Sequence, residues 1–463
     1  MAGDTAAPQR GAAAEPWRRS RWVLLSVAAS RGVPEAARAH PPPPQKNSQR
    51  RPPPPPPPPP HPVPAYLTAA YDILARVGEG TYGVVYLART REPSPRLLAV
   101  KAFKPAAPGR EGDGVCPTAV REAGLLAGVA HPNVVRLDAV VASPADRALA
   151  LAFDFAEHDL YEVVRYHRAA LGAWRSRGGG SSAAPPPRGA ALSLAAFKSV
   201  AHQLLTGLAA LHAAWIVHRD LKPANVLVMG DGAARGRVSI ADFGLARLIK
   251  DPLRPLSDNG TVVTIWYRAP ELLLGAAHHG PPVDAWAAAC VLAELALLTP
   301  LCQGTETGDA REFQGDQVRA VFGVLGRPDA GAADFSELAS MPHWRADAGG
   351  VRSVLAPAAP PESRLASHLA ARAHAAGGGG LAEPLPAAGV DLLAGLLHYS
   401  PGKRLTPADA LRHPFFAEHP LPSLNALDAG GNAAPAAYPQ RPRNPVEAGF
   451  FAGGGGVGHK RKV

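Results

Sequence analysis

At 463 residues the chain has room for two or three compact domains, or for two lobes with tails. Its 48 Lys and Arg against 38 Asp and Glu give a net charge of +10, but residues 1–64 hold nine basic and three acidic residues, so the body of the chain carries no basic surplus that argues for nucleic-acid binding. Three cysteines (Cys116, Cys290, Cys302) with no CxxC pair argue against a disulfide framework and fit a reducing compartment such as cytosol or nucleus, and no apolar run reaches eighteen residues, which argues against a membrane span.

Residues 1–64 are rich in Ala, Arg and Pro and end in the nine prolines Pro52–Pro60. Proline lacks an amide hydrogen and fixes φ, so this run reads as an extended spacer and the whole tail as disordered. Trp22–Ala29, preceded by Arg18, Arg19 and Arg21, imitates a signal core, and the Arg-rich tail imitates a transit segment. The fold is expected to begin near Tyr71. Ile73–Val77 reads as a strand, followed by Gly78-Glu79-Gly80-Thr81-Tyr82-Gly83 and a second strand, Val84–Leu87. GxGxxG also occurs in dinucleotide folds, but there a helix follows the third glycine. Here a β-branched run follows, which places the glycines at a hairpin tip. Leu98–Lys101 reads as a third strand, and Cys116–Glu122 opens a helix with Pro117 in its first turn.

Ala148–Phe153 is a buried strand. Residues 171–191, rich in Gly, Ser, Ala and Pro, read as an exposed insertion between two helices. Leu194, Phe197, Val200, Ala201, Leu204, Leu205, Leu208 and Leu211 recur at helical spacing and predict a core helix. Val238–Ala241 reads as a strand leading to Asp242. Further helices run to His413–Phe416, with a poorly patterned Ala/Gly/Pro-rich stretch at 345–388. Residues 417–463 show no hydrophobic period and are expected to be disordered. His459–Lys462 is a basic cluster that chance explains as well as nuclear import does.

Two short runs carry the chemistry. His218–Asn225 reads HRDLKPAN, and Asp242-Phe243-Gly244 follows seventeen residues later. Together with the glycine turn and Lys101 they resemble the protein kinase pattern. That resemblance implies an α+β bilobal fold: a small, mostly antiparallel β lobe with one key helix (about 71–155) and a larger helical lobe (about 156–416). It also implies ATP and Mg²⁺ as cofactors. Asp220 would accept the proton of the attacking hydroxyl, Lys222 would meet the transferred phosphate, and Asn225 and Asp242 would supply hard oxygen ligands to Mg²⁺. Lys101 would bridge the α- and β-phosphates and pair with Glu122. The nucleotide would contact Val77, Gly78, Glu79, Gly80, Thr81, Tyr82, Gly83, Val84, Val85, Ala99, Phe153, Leu227 and the hinge Asp154-Phe155-Ala156, with Asp159 at the ribose end. Thr81 and Tyr82 are suitably placed for blocking phosphorylation.

Pro117–Glu122 (PTAVRE) resembles the signature helix of cyclin-dependent kinases. In that family a cyclin pushes the helix inward, so without the partner the Lys101–Glu122 pair is expected to be open. Arg121, Arg219 and Arg247 would form the cluster that holds a phosphate on the activation segment, Asp242–Glu271. The position phosphorylated in cell-cycle members falls on Asn259, so neighbouring Asp258 is expected to replace the phosphate in part, with Ser257 and Thr261 as remaining phosphosites. Glu271 would pair with Arg404, and Asp284 would brace the catalytic loop. Val263 and Arg268 suggest a preference for Pro after the acceptor. Glu111–Val115, Phe153–Leu160, Asn225–Gly230, Pro255–Gly260 and Met341–Trp344 resemble the Mediator-associated branch, including the plant E-type kinases, whose partner is a C-type cyclin. This implies a nuclear Ser/Thr kinase, with a cytoplasmic pool left open. Its partners would be that cyclin and other Mediator kinase-module subunits, and its substrates transcription-machinery proteins, with no direct nucleic-acid or membrane binding. Cys116 stands where the plant pattern has Ser, and Thr261 where it has Val. A cell-cycle or other transcriptional cyclin-dependent kinase is the neighbouring alternative. A pseudokinase scaffold is disfavoured, because Lys101, Glu122, Asp220, Asn225 and Asp242 are all present.

Overall fold

The computed structural model describes residues 63–80, 83–104, 116–179, 189–249, 264–305, 313–328, 341–345, 362–375 and 380–427, together with two short strands, β1 (Arg21–Leu24) and a last one at Asn444–Pro445. The first lobe opens with a short helix, α1 (Ala65–Ala70), that lies before the expected start of the fold. Tyr66 and Leu67 are buried beneath it, and Arg91 caps its end through the carbonyls of Ala69 (2.9 Å) and Thr68 (2.7 Å).

A twisted sheet follows: β2 (Asp72–Glu79), β3 (Gly83–Arg89), β4 (Leu97–Phe103), helix α2 (Pro117–Ala127), then β5 (Leu137–Ser143) and β6 (Ala148–Asp154). The five strands pair antiparallel in the order β5-β6-β4-β3-β2, and β1 adds to β5 in parallel while Asn444–Pro445 adds to β2. Alternation along β4 sorts its side chains. Leu98, Val100 and Ala102 enter a small core with Tyr66 and Tyr86, which leaves Ala99 and Lys101 on the opposite face.

Beyond the hinge come β7 (His158–Asp159), α3 (Leu160–Trp174), α4 (Leu194–Ala213), β8 (Ile216–Val217), β9 (Val226–Val228), β10 (Val238–Ile240), β11 (Arg247–Leu248), α5 (Pro270–Leu273) and α6 (Pro282–Leu297). Helices at Gly315–Leu325, Leu365–Ala375 and Ala387–Leu396, with shorter ones at Pro342–Arg345, Pro407–Ala410 and Pro414–Ala417, add to this lobe. The observed architecture is thus the expected bilobal α+β one. Helix α4 has a mean hydropathy of 1.2 over eighteen residues, enough to cross a membrane on that criterion. It instead runs through the core of the lobe, with its apolar residues packed on α6 and β10.

Three expectations change. The insertion is narrower than 171–191: α3 and one wider turn (Arg175–Gly179) continue the helix, and Ala190 and Leu192 are buried on the return. Residues 180–188 lie outside the described ones. The patternless stretch contains the helix Leu365–Ala375, anchored by buried Leu365 and Leu369. The tail does not leave the fold at 416, because Glu418–Leu427 lies against α4 and the β9–β10 turn. Lys198, fully buried, donates to the Glu418 carbonyl (2.8 Å) and sits over the Phe415 ring, Ser199 accepts from the Ser423 amide (2.8 Å), and the Ala426 amide donates to Gly236 (2.9 Å). These are backbone contacts, which carry no hydrophobic period.

Candidate active site

Lys101 lies mid-sheet, opposite Val85 on β3 and Leu151 on β6. On α2 the inward positions are Ala119, Glu122, Ala123, Leu125 and Leu126, a helical stripe that turns Glu122 toward the sheet. Lys101 Nζ is 2.9 Å from Glu122 Oε2 and 2.7 Å from Asp242 Oδ1. Burial alone would lower the lysine pKa, but the two carboxylates outweigh it and raise it, so the ammonium stays charged. Burial likewise pushes Asp242 upward, and the Lys101 charge and hydrogen bond overcome that and hold it below the usual carboxylate range. The pair expected to be open is therefore closed in the chain described. Glu122 is 1% exposed, and its carboxylate also accepts from the Phe243 amide, so leaving Lys101 would strand a buried charge.

The catalytic loop joins β8 to β9 and is held from α6. Asp284, fully buried, accepts the amides of His218 and Arg219 (both 2.8 Å) and bonds His212 Nε2 (2.9 Å). Arg219 sits at φ +71°, a left-handed conformation that costs a side-chain-bearing residue on the order of 1–2 kcal/mol; the two amide bonds to Asp284 hold it there. His218 reaches the Ala241 carbonyl (2.9 Å) and packs edge-on against buried Phe243. Asp220 accepts from Lys222 Nζ (2.8 Å), and Asn225 Nδ2 donates to the Asp220 carbonyl (2.7 Å).

Register joins the two motifs. In the antiparallel pair β9–β10, Val226 is opposite Ile240, and the Ala241 amide bonds the Asn225 carbonyl (2.9 Å). Asn225 just before β9 and Asp242 just after β10 therefore emerge at the same end. Asp242 is left-handed (φ +65°) and its side chain is 40% exposed. The Asn225 amide nitrogen is committed to Asp220, which leaves its side-chain oxygen as the atom that would serve a metal ion. Among the described residues no three His, Cys, Asp or Glu side chains form a metal cage. Two hard oxygens at one strand end fit a Mg²⁺ that brings most of its own ligands as water and phosphate oxygens.

Around the nucleotide space the expected residues divide. Val77, Val85, Ala99, Phe153, Ala156 and Leu227 lie along β2, β3, β4, β6, the hinge and β9, with Ala99 opposite Phe153. Gly78 and Gly80 have open space where a side chain would be, and the Gly80 amide closes the turn on the Gly83 carbonyl (2.8 Å). Gly83 is needed for close approach: a Cβ there would lie 2.2 Å from the Ala102 carbonyl oxygen. Three residues do other work. Val84 packs in the small core on the far face, because it is one residue out of phase with Val85. Asp159 is buried and caps α3 through the Glu162 amide (2.9 Å), rather than standing open at a ribose. Glu79 pairs with Arg76 and with Lys104 (2.7 Å), tying the hairpin edge. The Asp154 side chain turns to Arg136 (2.6 Å), so only its backbone is left for a hinge contact. Thr81 and Tyr82 lie outside the described residues.

Arg121, Arg219, Arg247 and Arg268 lie near enough for their charges to act on one another. Burial first, and then the nearby charge of Arg247, Arg121 and Arg268, bring the Arg219 pKa down to about 10. Arg268 is a fourth member that sequence reasoning had assigned only to the substrate groove; it also lines a hollow beside Asp220 with Thr264, Tyr267 and Leu272. The segment that would answer these charges, with Ser257, Asp258, Asn259, Thr261 and Val263, falls outside the described residues. Its far end is fixed twice. Glu271 and Arg404 form a buried bidentate pair (2.8 and 3.0 Å), and Tyr267 donates to Glu294 (2.6 Å). The roles of His212, His218 and Glu294 were not foreseen, since each depends on a partner 23 to 72 residues away.

Comparison with known proteins agrees with this geometry. Residues 71–416 match the protein kinase domain model. The chain belongs to the protein kinase family. It is 44% identical over 360 residues to cyclin-dependent kinase E-1 of Arabidopsis thaliana, covering 78% of this chain and 68% of that protein. It is 39% identical to a probable cyclin-dependent kinase 8 of Dictyostelium discoideum (81% and 86% covered) and 38% identical to cyclin-dependent kinase 8 of Drosophila melanogaster (79% and 73%). Within the family this kinase falls in the Mediator-associated cyclin-dependent kinase 8 group, and it is a serine/threonine protein kinase of the cyclin-dependent type.

Proposed function

We propose that this kinase transfers the γ-phosphate of ATP to Ser or Thr followed by Pro in transcription-machinery proteins, the RNA polymerase II C-terminal repeat among them. It would do so in the nucleus, within the Mediator kinase module and under control of a C-type cyclin. The observation that carries the reading is the convergence of Lys101, Glu122 and Asp242 beside the loop bearing Asp220 and Asn225. Lys101 holds the α- and β-phosphates by its charge, and Glu122 fixes the angle of that ammonium. Asp220 orients the acceptor hydroxyl and takes its proton, while Lys222, already on Asp220, offsets charge on the moving phosphoryl group. Asn225 and Asp242 are the residues that would hold magnesium, which when bound neutralises the phosphate oxygens. The four arginines favour an acidic group on the activation segment, a place for Asp258 or a phosphate. The names of the relatives support the cyclin and the group.

The test is to purify the chain with whatever cyclin accompanies it and measure phosphate transfer to a heptad-repeat peptide. Transfer should require a C-type cyclin and fall about tenfold or more when the Pro after the acceptor becomes Ala. Asp220→Asn should lower it on the order of 10³-fold. A cell-cycle cyclin in the complex would favour the alternative reading, and equal rates on the two peptides would remove the Pro preference.

A further inference from the structure

A hollow of about 360 Å³ opens between the last turn of α2, the loop that follows it and the β9–β10 turn. Its volume lies in the range of small-ligand sites. Leu126, Val129, Val134 and Leu137 supply an apolar wall, and Arg237 reaches in from the β9–β10 turn.

The charges there do not cancel. At the rim Arg136 is tied to Asp154 (2.6 Å) and Asp138 (3.3 Å), and Arg96 also reaches Asp138 (3.0 Å), so two cations meet two anions. His131 accepts the Asn133 amide on Nδ1 (3.1 Å), and burial lowers its pKa, so it adds no charge at neutral pH. Arg237 is left over. Its buried Nε makes no hydrogen bond, and no carboxylate among the described residues pairs with it. A partly exposed guanidinium with no carboxylate partner among the described residues, beside an apolar wall, is an arrangement that an anionic ligand would complete.

We propose that this hollow binds an apolar carboxylate, with the body of the ligand against Leu126, Val129 and Leu137 and its carboxylate on Arg237. One uncompensated guanidinium matches a monoanion. A phosphate dianion would need a second free cation, and Arg136 is already neutralised. The carboxylate could belong to a free organic acid or to the C-terminus of a peptide ending in an apolar residue.

The experiment titrates the full chain with 2-naphthoate, followed by calorimetry, with a non-hydrolysable ATP analogue present throughout so that the nucleotide site is filled. A Kd on the order of 1 mM or tighter is expected for a ligand of this size. 2-Naphthamide, which keeps the shape and loses the charge, should bind at least tenfold more weakly, as should naphthoate to Arg237→Gln. Ala130→Trp, a change at an exposed position on the rim, should block entry while leaving the melting temperature unchanged. Gly-Gly-Phe with a free C-terminus, but not its amide, should displace naphthoate if chain ends are the natural ligands; failure of both peptides alongside naphthoate binding assigns the site to small acids. No naphthoate binding, or equal affinity for Arg237→Gln or for the amide, overturns the proposal.

Discussion

Asp284 shows how one buried carboxylate sets a reactive loop. It accepts from two successive backbone amides and His212, and with them it holds Arg219 in a left-handed conformation that would otherwise relax. Asp284→Asn replaces one acceptor oxygen with a donor facing an amide. We expect a loss of about 3 kcal/mol in unfolding free energy, measured by urea denaturation, and a fall in kcat larger than any change in ATP KM. The pH dependence has a defined sign. Burial pushes Asp284 up, but its hydrogen bonds with His212 and the loop amides bring its pKa below the ordinary 3.8. Its contribution is therefore fully present above that value and lost as pH falls through the lower folded-state pKa. The wild-type urea midpoint should drop on acidification below about pH 4, with a shallower drop in Asp284→Asn. Parallel curves would remove Asp284 as a source of acid sensitivity.

At the scale of elements, the glycine hairpin separates two uses of the same residue type. Gly83 is required because the β3–β4 backbones meet there, whereas Gly78 and Gly80 border open space. Gly83→Ala should destabilise the first lobe by roughly 1–3 kcal/mol and raise the ATP KM. Gly78→Ala should leave the melting temperature nearly unchanged and act only on nucleotide affinity. The segment Glu418–Leu427 is a second case. Removing it by a stop after Ala417 strips Lys198 of its carbonyl partner and the β9–β10 turn of its cover. A loss of roughly 2–3 kcal/mol is expected, whereas a stop after Leu427, which among the described residues removes only the two-residue strand Asn444–Pro445, should cost less. Equal stability of the two truncations would mean that the strap carries no load.

Across the whole molecule, the two lobes are joined electrostatically by Lys101, Glu122 and Asp242, and the activation segment is anchored by Glu271 and Arg404. Breaking that second, buried pair with Glu271→Gln should cost about 3–5 kcal/mol and so mimic a catalytic defect through unfolding. The bilobal α+β fold was legible in the sequence, because kinase chemistry fixes short motifs, and those motifs name Lys101, Glu122, Asp220, Asn225 and Asp242. Val84, Asp159 and Glu79 were not. Membership of a motif does not tell which face of a strand a residue takes, or that a carboxylate will cap a helix. Helix α1 and the strap were invisible for a different reason: both are held through backbone groups that meet partners far away in the chain. The closed Lys101–Glu122 pair was not legible either, because the burial of Glu122 depends on how α2 seats against the sheet.

The most direct test is kcat at saturating ATP and Mg²⁺ for Asp242→Asn in the cyclin-bound enzyme, with the melting temperature as a control for folding. If Asp242 both answers Lys101 and holds the metal with Asn225, kcat should fall on the order of 10³-fold while the melting temperature stays within a few degrees. A kcat within twofold of wild type would contradict the assignment of this cluster as the phosphoryl-transfer centre.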